Sequence, residues 1–139
     1  MQFRYLSHTS EAKFRAYGKD LAGAFGNAGL ALINLVFDVN RIKAKRRVKI
    51  RVVSESMESL LFDFLERVIF VMQVKGVLGC GFRKMKIFKS GKGYKLGCVL
   101  VGDSYKNYKT KSDIKSVTYN ELLIGKNKKG WFCQVVVDV

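Results

Sequence analysis

The chain predicts an α+β fold: a single domain over residues 1–139, with two helices packed on a largely antiparallel β-sheet. Three observations lead there. Hydrophobic periodicity changes along the chain in the order two strands, helix, strand, helix, four strands. Strands that follow one another without helices between them favour antiparallel pairing. No linker, internal repeat or proline divides the 139 residues, and 48% hydrophobic with 12% aromatic residues is enough to bury a core.

Phe3 to Leu6 reads as a short strand, and the polar run from Ser7 to Glu11 breaks it. Ala12, Phe14 and Ala16 then alternate with Lys13, Arg15 and Tyr17, the strand period. Gly18-Lys19-Asp20 ends this strand, and Asp20 is suited to cap the helix that follows. Leu21, Phe25, Ala28, Leu32 and Leu35 recur at helical spacing, ending near Phe37 to Asn40. Gly23, Gly26 and Gly29 weaken such a helix, which implies close packing against them.

Residues 41–51 carry seven Lys or Arg in eleven. From Arg47 they alternate, with Val48, Ile50 and Val52 inward and Arg47, Lys49 and Arg51 outward. A solvated edge strand shielded by cations explains this pattern, and so does a phosphate-binding face. Arg46, Arg47, Lys49 and Arg51 are therefore the candidate RNA contacts. Ser56 caps a second helix whose Leu61, Phe64, Leu65, Val68 and Met72 share a stripe, with Asp63 and Glu66 on its polar side. Strands follow at Phe82 to Phe88, Tyr94 to Val101 and Ile114 to Ile124. The Ser90-Gly91-Lys92-Gly93 turn lacks the spacing of a phosphate loop.

The final stretch from Trp131 to Val139 is almost continuously apolar, as expected of a strand covered on both faces. Asp138 and the carboxylate of Val139 then lie side by side at its end. Two such groups repel unless a cation or a basic side chain stands between them. Either a neighbouring lysine or a bound divalent cation satisfies that condition.

Twenty-six Lys and Arg against eleven Asp and Glu give a net charge of +15. Such a field attracts polyanions, nucleic acid first among them, although a proteome rich in lysine produces the same balance. Cys80, Cys98 and Cys133 form neither a C-x-x-C pair nor a metal spacing, so reduced core thiols are expected. The N-terminus lacks the apolar core of a signal peptide, and no stretch reaches the roughly 18 apolar residues of a membrane span. A soluble, cytoplasmic protein with no membrane partner is the expectation. His8 is the one imidazole, and its neighbours Ser10 and Glu11 do not form a triad from a single turn. An independent hydrolase is thus disfavoured. Oxygen ligands for a hard cation of the Ca²⁺ or Mg²⁺ class are available in Glu11, Asp38, Asp138 and Val139.

The order of segments also carries a resemblance. His8-Thr-Ser-Glu-Ala-Lys-Phe-Arg-Ala-Tyr-Gly18 resembles the H-T-A-D-x-x-x-R-A-x-G opening of the archease family. The helix from Leu21 to Asp38 and the segment Ser59 to Glu66 are similar to the family's two helices. Ile114 to Tyr119 resembles its E-V-K-A-V-T-Y block, and Val137-Asp138-Val139 its F-D-I ending. The resemblance implies a small α+β, non-catalytic protein cofactor of the GTP-dependent tRNA-splicing RNA ligase, promoting guanylylation and multiple turnover. It also implies a metal site at Glu11, Asp138 and Val139, with Lys115 serving the ligase and Asp38 near the cluster. Glu11 stands where the family has Asp, Asn120 where His is common, and the positive charge differs from acidic members. A basic RNA-binding module or chaperone acting directly on tRNA is the alternative.

Overall fold

The computed structural model describes residues 2–7, 11–111 and 113–139, and the reading of His8 lies outside them. Seven strands and two helices follow in the order β1 (Phe3–Leu6), β2 (Ala12–Gly18), α1 (Leu21–Asn34), β3 (Arg46–Ser54), α2 (Met57–Gln73), β4 (Val77–Ser90), β5 (Gly93–Ser104), β6 (Ser116–Asn127) and β7 (Gly130–Asp138). The α+β class is as the sequence predicts, and every strand pairing is antiparallel. The strands divide, however, between two sheets. One has the order β1-β2-β7-β6 and the other β3-β5-β4.

The two helices form a layer that touches both sheets. α1 packs on β2 and β7 and also on β4, while α2 packs on β6 and also on β3, β4 and β5. A helix covered from two sides must be apolar over more than one stripe. α1 accordingly buries Ala24, Phe25, Ala28, Gly29, Ala31, Leu32 and Ile33. In α2 the stripe of Leu61, Phe64, Leu65, Val68 and Met72 widens to take in Leu60, Ile69 and Val71. Phe64 lies at the centre, stacked on Phe25 with ring centroids 6.2 Å apart and edge-on to Phe82 at 5.3 Å. Each such ring removed from water contributes about 1.5–3 kcal/mol.

Local chemistry sets the element ends. The Asp20 carboxylate accepts the Gly23 N–H at 2.7 Å, and Ser56 with Ser59 closes a capping box on α2. α1 stops at Asn34, short of the expected end near Asp38. Its last turn tightens, with the Val36 N–H on the Ile33 carbonyl, and the Asn34 side chain accepts the Val39 N–H instead. That side-chain acceptor offers the backbone an alternative to another helical turn.

β7 is an inner strand of its sheet, buried without a break from Cys133 to Val137. The helices cover one face. The other lies under an excursion of β6: between the Thr118–Val136 and Leu123–Gln134 pairs, residues 119–122 stand against Val135 alone. Glu121 takes φ 56° within it, and its carbonyl accepts the Gln134 Nε2 at 3.0 Å. The Gln134 Oε1 accepts the Arg15 Nε–H at 2.8 Å, so a buried side-chain amide is satisfied at both ends. Cys98 and Cys133 are buried free thiols, each pushed up to about 12 by burial, as expected of packing residues.

The helix glycines separate into two kinds. A Cβ on Gly29 would lie 2.5 Å from the Phe82 ring, whereas one on Gly26 would meet nothing within 4 Å. Gly29 meets the expectation of close packing, as does Gly23, where a Cβ would lie 3.0 Å from the Asp20 carboxylate; Gly26 does not. Gly26→Ala should therefore raise stability by about 0.5–1 kcal/mol. Gly29→Ala should lower it by about 1–3 kcal/mol through overpacking. Urea denaturation of the two variants checks the opposite signs.

Candidate functional site

The site read from the sequence gathers at one end of the four-stranded sheet. β2 begins at Ala12 opposite Val137, so one step further the register sets Glu11 opposite Asp138. On the other side Asp138 faces Ser116 of β6, and its carbonyl accepts the Lys115 N–H at 2.9 Å. Phe14, Ala16 and Val137 are buried in the core, so strand alternation assigns Asp138 to the outer face, and Glu11 stands in the bend before β2. Glu11 and Asp138 are half-buried, and Val139 and Lys115 are exposed. A hundred and more residues of chain separate Glu11 from its neighbours; the pairing of β2 with β7 brings them together.

Lys115 is presented by a segment that is otherwise tied down. Gln73 Nε2 donates to the Ile114 carbonyl at 2.8 Å, and Glu66 accepts the Val117 N–H at 3.0 Å. Thr118 donates its hydroxyl to the Val136 carbonyl, and Tyr119 stacks flat on Phe62 with centroids 4.1 Å apart. Ile114 and Val117 are buried. Within this block Lys115 and Tyr119 are the exposed residues, and Tyr119 is the one held by its ring contact. Glu66 and Gln73 are seven residues apart on α2, hence on one face, and clamp the segment to the helix. Glu66 is thus an anchor and not only part of a polar side. Polar residues at a seven-residue interval within an apolar helix were the available signal.

Asp38 has a local role in the backbone. It follows α1, and its carboxylate accepts the Asn40 N–H at 3.0 Å, capping the 3₁₀ turn Val39–Arg41. Its segment is tied to the 105–113 loop by the Lys111 N–H on the Val36 carbonyl and by Phe37 against Tyr108. Among the described residues no three His, Cys, Asp or Glu side chains gather as a metal cluster. The candidate oxygen donors read from the sequence at this end thus comprise two side-chain carboxylates, those of Glu11 and Asp138, with Val139 beside them. In kind this all-oxygen set fits a hard cation, with water completing the shell.

Beside Lys115 runs an open groove of about 930 Å³ between the end of α2 and the 104–115 segment, lined by Arg46, Lys75, Lys106, Asp113 and Lys115 among others. Its wall is held by Asp103, buried at the end of β5. Tyr108 donates its hydroxyl to Asp103 at 2.8 Å and accepts the Lys43 N–H at 2.9 Å. The Tyr108 hydroxyl, then the Ser104 N–H, hold the Asp103 carboxyl below its ordinary value of 3.8. The four basic candidates are parted by this geometry. Arg46 lines this groove, while Arg47, Lys49 and Arg51 are exposed on the outer face of β3, an edge strand as the alternation suggested.

A small α+β protein emerges, two helices held between two antiparallel sheets, with a candidate site of two carboxylates and a lysine at one sheet's end. Residues 3–139 match the family described as "Archease protein family (MTH1598/TM1083)". Over 140 residues the chain is 36% identical to the protein archease of Methanosarcina barkeri, covering 99% of this chain and 96% of the relative. Against that of Pyrococcus abyssi the identity is 31% over 141 residues, with 99% of each covered. The solution structure of Methanobacterium thermoautotrophicum protein 1598 superposes with a TM-score of 0.82 at 26% identity, covering 99% of each chain. An archease of Thermotoga maritima, described as a possible chaperone, shares the fold with a TM-score of 0.55 at 18% identity, covering 96% of this chain and 94% of that one. The chain belongs to the archease family.

Removing the clamp should be measurable without any partner. Glu66→Ala leaves the Val117 N–H without its acceptor and should cost about 1–3 kcal/mol in denaturant titrations. A group whose folded pKa is depressed stabilises above its unfolded value, and that contribution is lost as pH falls through the folded one. Asp103 is such a group, so Asp103→Asn should flatten the acid limb of the stability profile below about pH 4. Thermal melts of both proteins across that range check it.

Proposed function

We propose that this chain acts as a non-catalytic protein cofactor of the GTP-dependent tRNA-splicing RNA ligase. In this reading it promotes guanylylation and multiple turnover through the acidic end of its four-stranded sheet. The observation that supports it is the Ala12–Val137 pairing, which brings the residue before β2, Glu11, to the end of β7 where the Lys115 N–H donates to the Asp138 carbonyl. Family membership supports the partner. Guanylylation requires divalent ions positioned at phosphates, and a bound Ca²⁺- or Mg²⁺-class cation supplies charge stabilisation of that kind.

The chain's own residues divide the work. Glu11 and Asp138, with Val139 beside them, would hold the cation. The extra methylene of Glu11, relative to Asp, would move its oxygens outward, and the bend in which Glu11 stands is where the backbone would adjust. Lys115, fixed through its own N–H, offers one ammonium to the ligase or its nucleotide. Asp38 contributes by capping its turn and not by ligation.

The test is ligation of a broken tRNA by the ligase under multiple-turnover conditions, with wild type, Asp138→Ala and Lys115→Ala. Stimulation should fall at least tenfold in both variants. Calorimetric titration of each isolated protein with Ca²⁺ should show binding lost in Asp138→Ala and kept in Lys115→Ala. Full stimulation by Asp138→Ala would remove the acidic end from the function, and no stimulation by wild type would remove the ligase.

A further inference from the structure

The outer face of the three-stranded sheet, turned away from the helices, forms a second and different surface. Pairing aligns its residues in rows across β3, β5 and β4. Lys49, Val99 and Arg83 make one row, Arg51, Gly97 and Lys86 the next, and Val53, Lys95 and Phe88 the third. Side chains paired in this way share a face. A bulge between Arg83 and Lys86 adds Lys84, held at φ 53°, to the same wall. The result is a groove of about 500 Å³ lined by Lys49, Arg51, Lys84, Lys86 and Lys95, with no Asp or Glu in its lining. Its floor is bare at Gly97, where a Cβ would meet nothing within 4 Å. At one end Phe88 is 53% and Val53 68% exposed.

We infer that this groove binds a single-stranded segment of RNA, with phosphates on its cationic walls and a base on Phe88. Five cations gathered without a lining carboxylate repel one another in the free protein, and a polyanion relieves that repulsion. Arg51 and Lys86 stand two strand spacings apart, about 10 Å, which suits one extended chain of nucleotides better than a duplex. An exposed aromatic beside such a track is the feature that takes an unpaired base without regard to its identity. A flat anionic bilayer would not reach the recessed glycine floor. The groove is separate from the acidic end, and this proposal does not rest on the cofactor role.

The test is fluorescence anisotropy of a labelled oligouridylate, about eight nucleotides long, with no ligase present. It compares wild type, Gly97→Glu, Phe88→Ala and Lys128→Gln. Gly97→Glu sets a carboxylate in open space and should leave the melting temperature unchanged while weakening binding at least tenfold. Lys128→Gln, in the exposed β6–β7 turn, alters net charge by the same unit and should change binding less than twofold. Phe88→Ala should weaken binding several-fold without altering its salt slope, because stacking releases no counterions. Equal losses in Gly97→Glu and Lys128→Gln would overturn the proposal, reducing the attraction to net charge. So would equal affinity for duplex RNA, or tighter binding to phosphatidylserine vesicles than to the oligonucleotide.

Discussion

A strand dry on both faces is the constraint on which the rest of this structure depends. From Cys133 to Val137 every residue of β7 is buried, which requires two covers. The helix layer is one, and that layer in turn needs a second sheet on its far side to bury its remaining apolar surface. The other is the excursion of β6, held down by Gln134 and by the pairing of Lys13 with Glu121 at 2.9 Å. Because β7 cannot shift register without turning Val135 and Val137 away from the core, the residues at its end are placed with equal firmness. Asp138 inherits its position from the valines before it.

Much of this was legible as pattern. The strand alternation of Ala12 to Tyr17, the Asp20 cap and the alternation from Arg47 all reappear in β2, α1 and β3. The division into two sheets was not legible, because periodicity tells which side chains are buried without telling which layer buries them. α2, apolar most of the way round, carried the hint. Arg46 is instructive: grouping by charge joined it to Arg47, Lys49 and Arg51, although alternation had already put it on the other side of the strand. Glu66 was read as part of a polar side and Gln73 was not singled out, since a polar side chain that bonds a distant backbone group reads, in sequence, like one facing water.

The candidate site was legible in its residues and not in its assembly. Asp138 and Val139 drew attention as an acidic end to an apolar strand, and Glu11 only through the resemblance. What joins them is the Ala12–Val137 pairing, a contact across nearly the whole chain. Asp38 shows the converse. Its carboxylate is a good oxygen ligand in isolation, yet the local backbone claims it as a cap. The outer face of the three-stranded sheet differs from this end in charge: its groove is lined by cations and by no carboxylate.

The position of β7 has a consequence for how the chain is made. It comes off the ribosome after every other element described here, yet it must lie between β2 and β6. The β4–β5 hairpin and its pairing with β3 are local enough to form while synthesis continues. The other sheet is not. Until β7 arrives, β2 and β6 each show an unpaired edge and one side of the helix layer remains wet. The nascent protein thus passes through a half-clad stage, one sheet complete and the other open, with its greatest exposure to unwanted association just before the final strand is added.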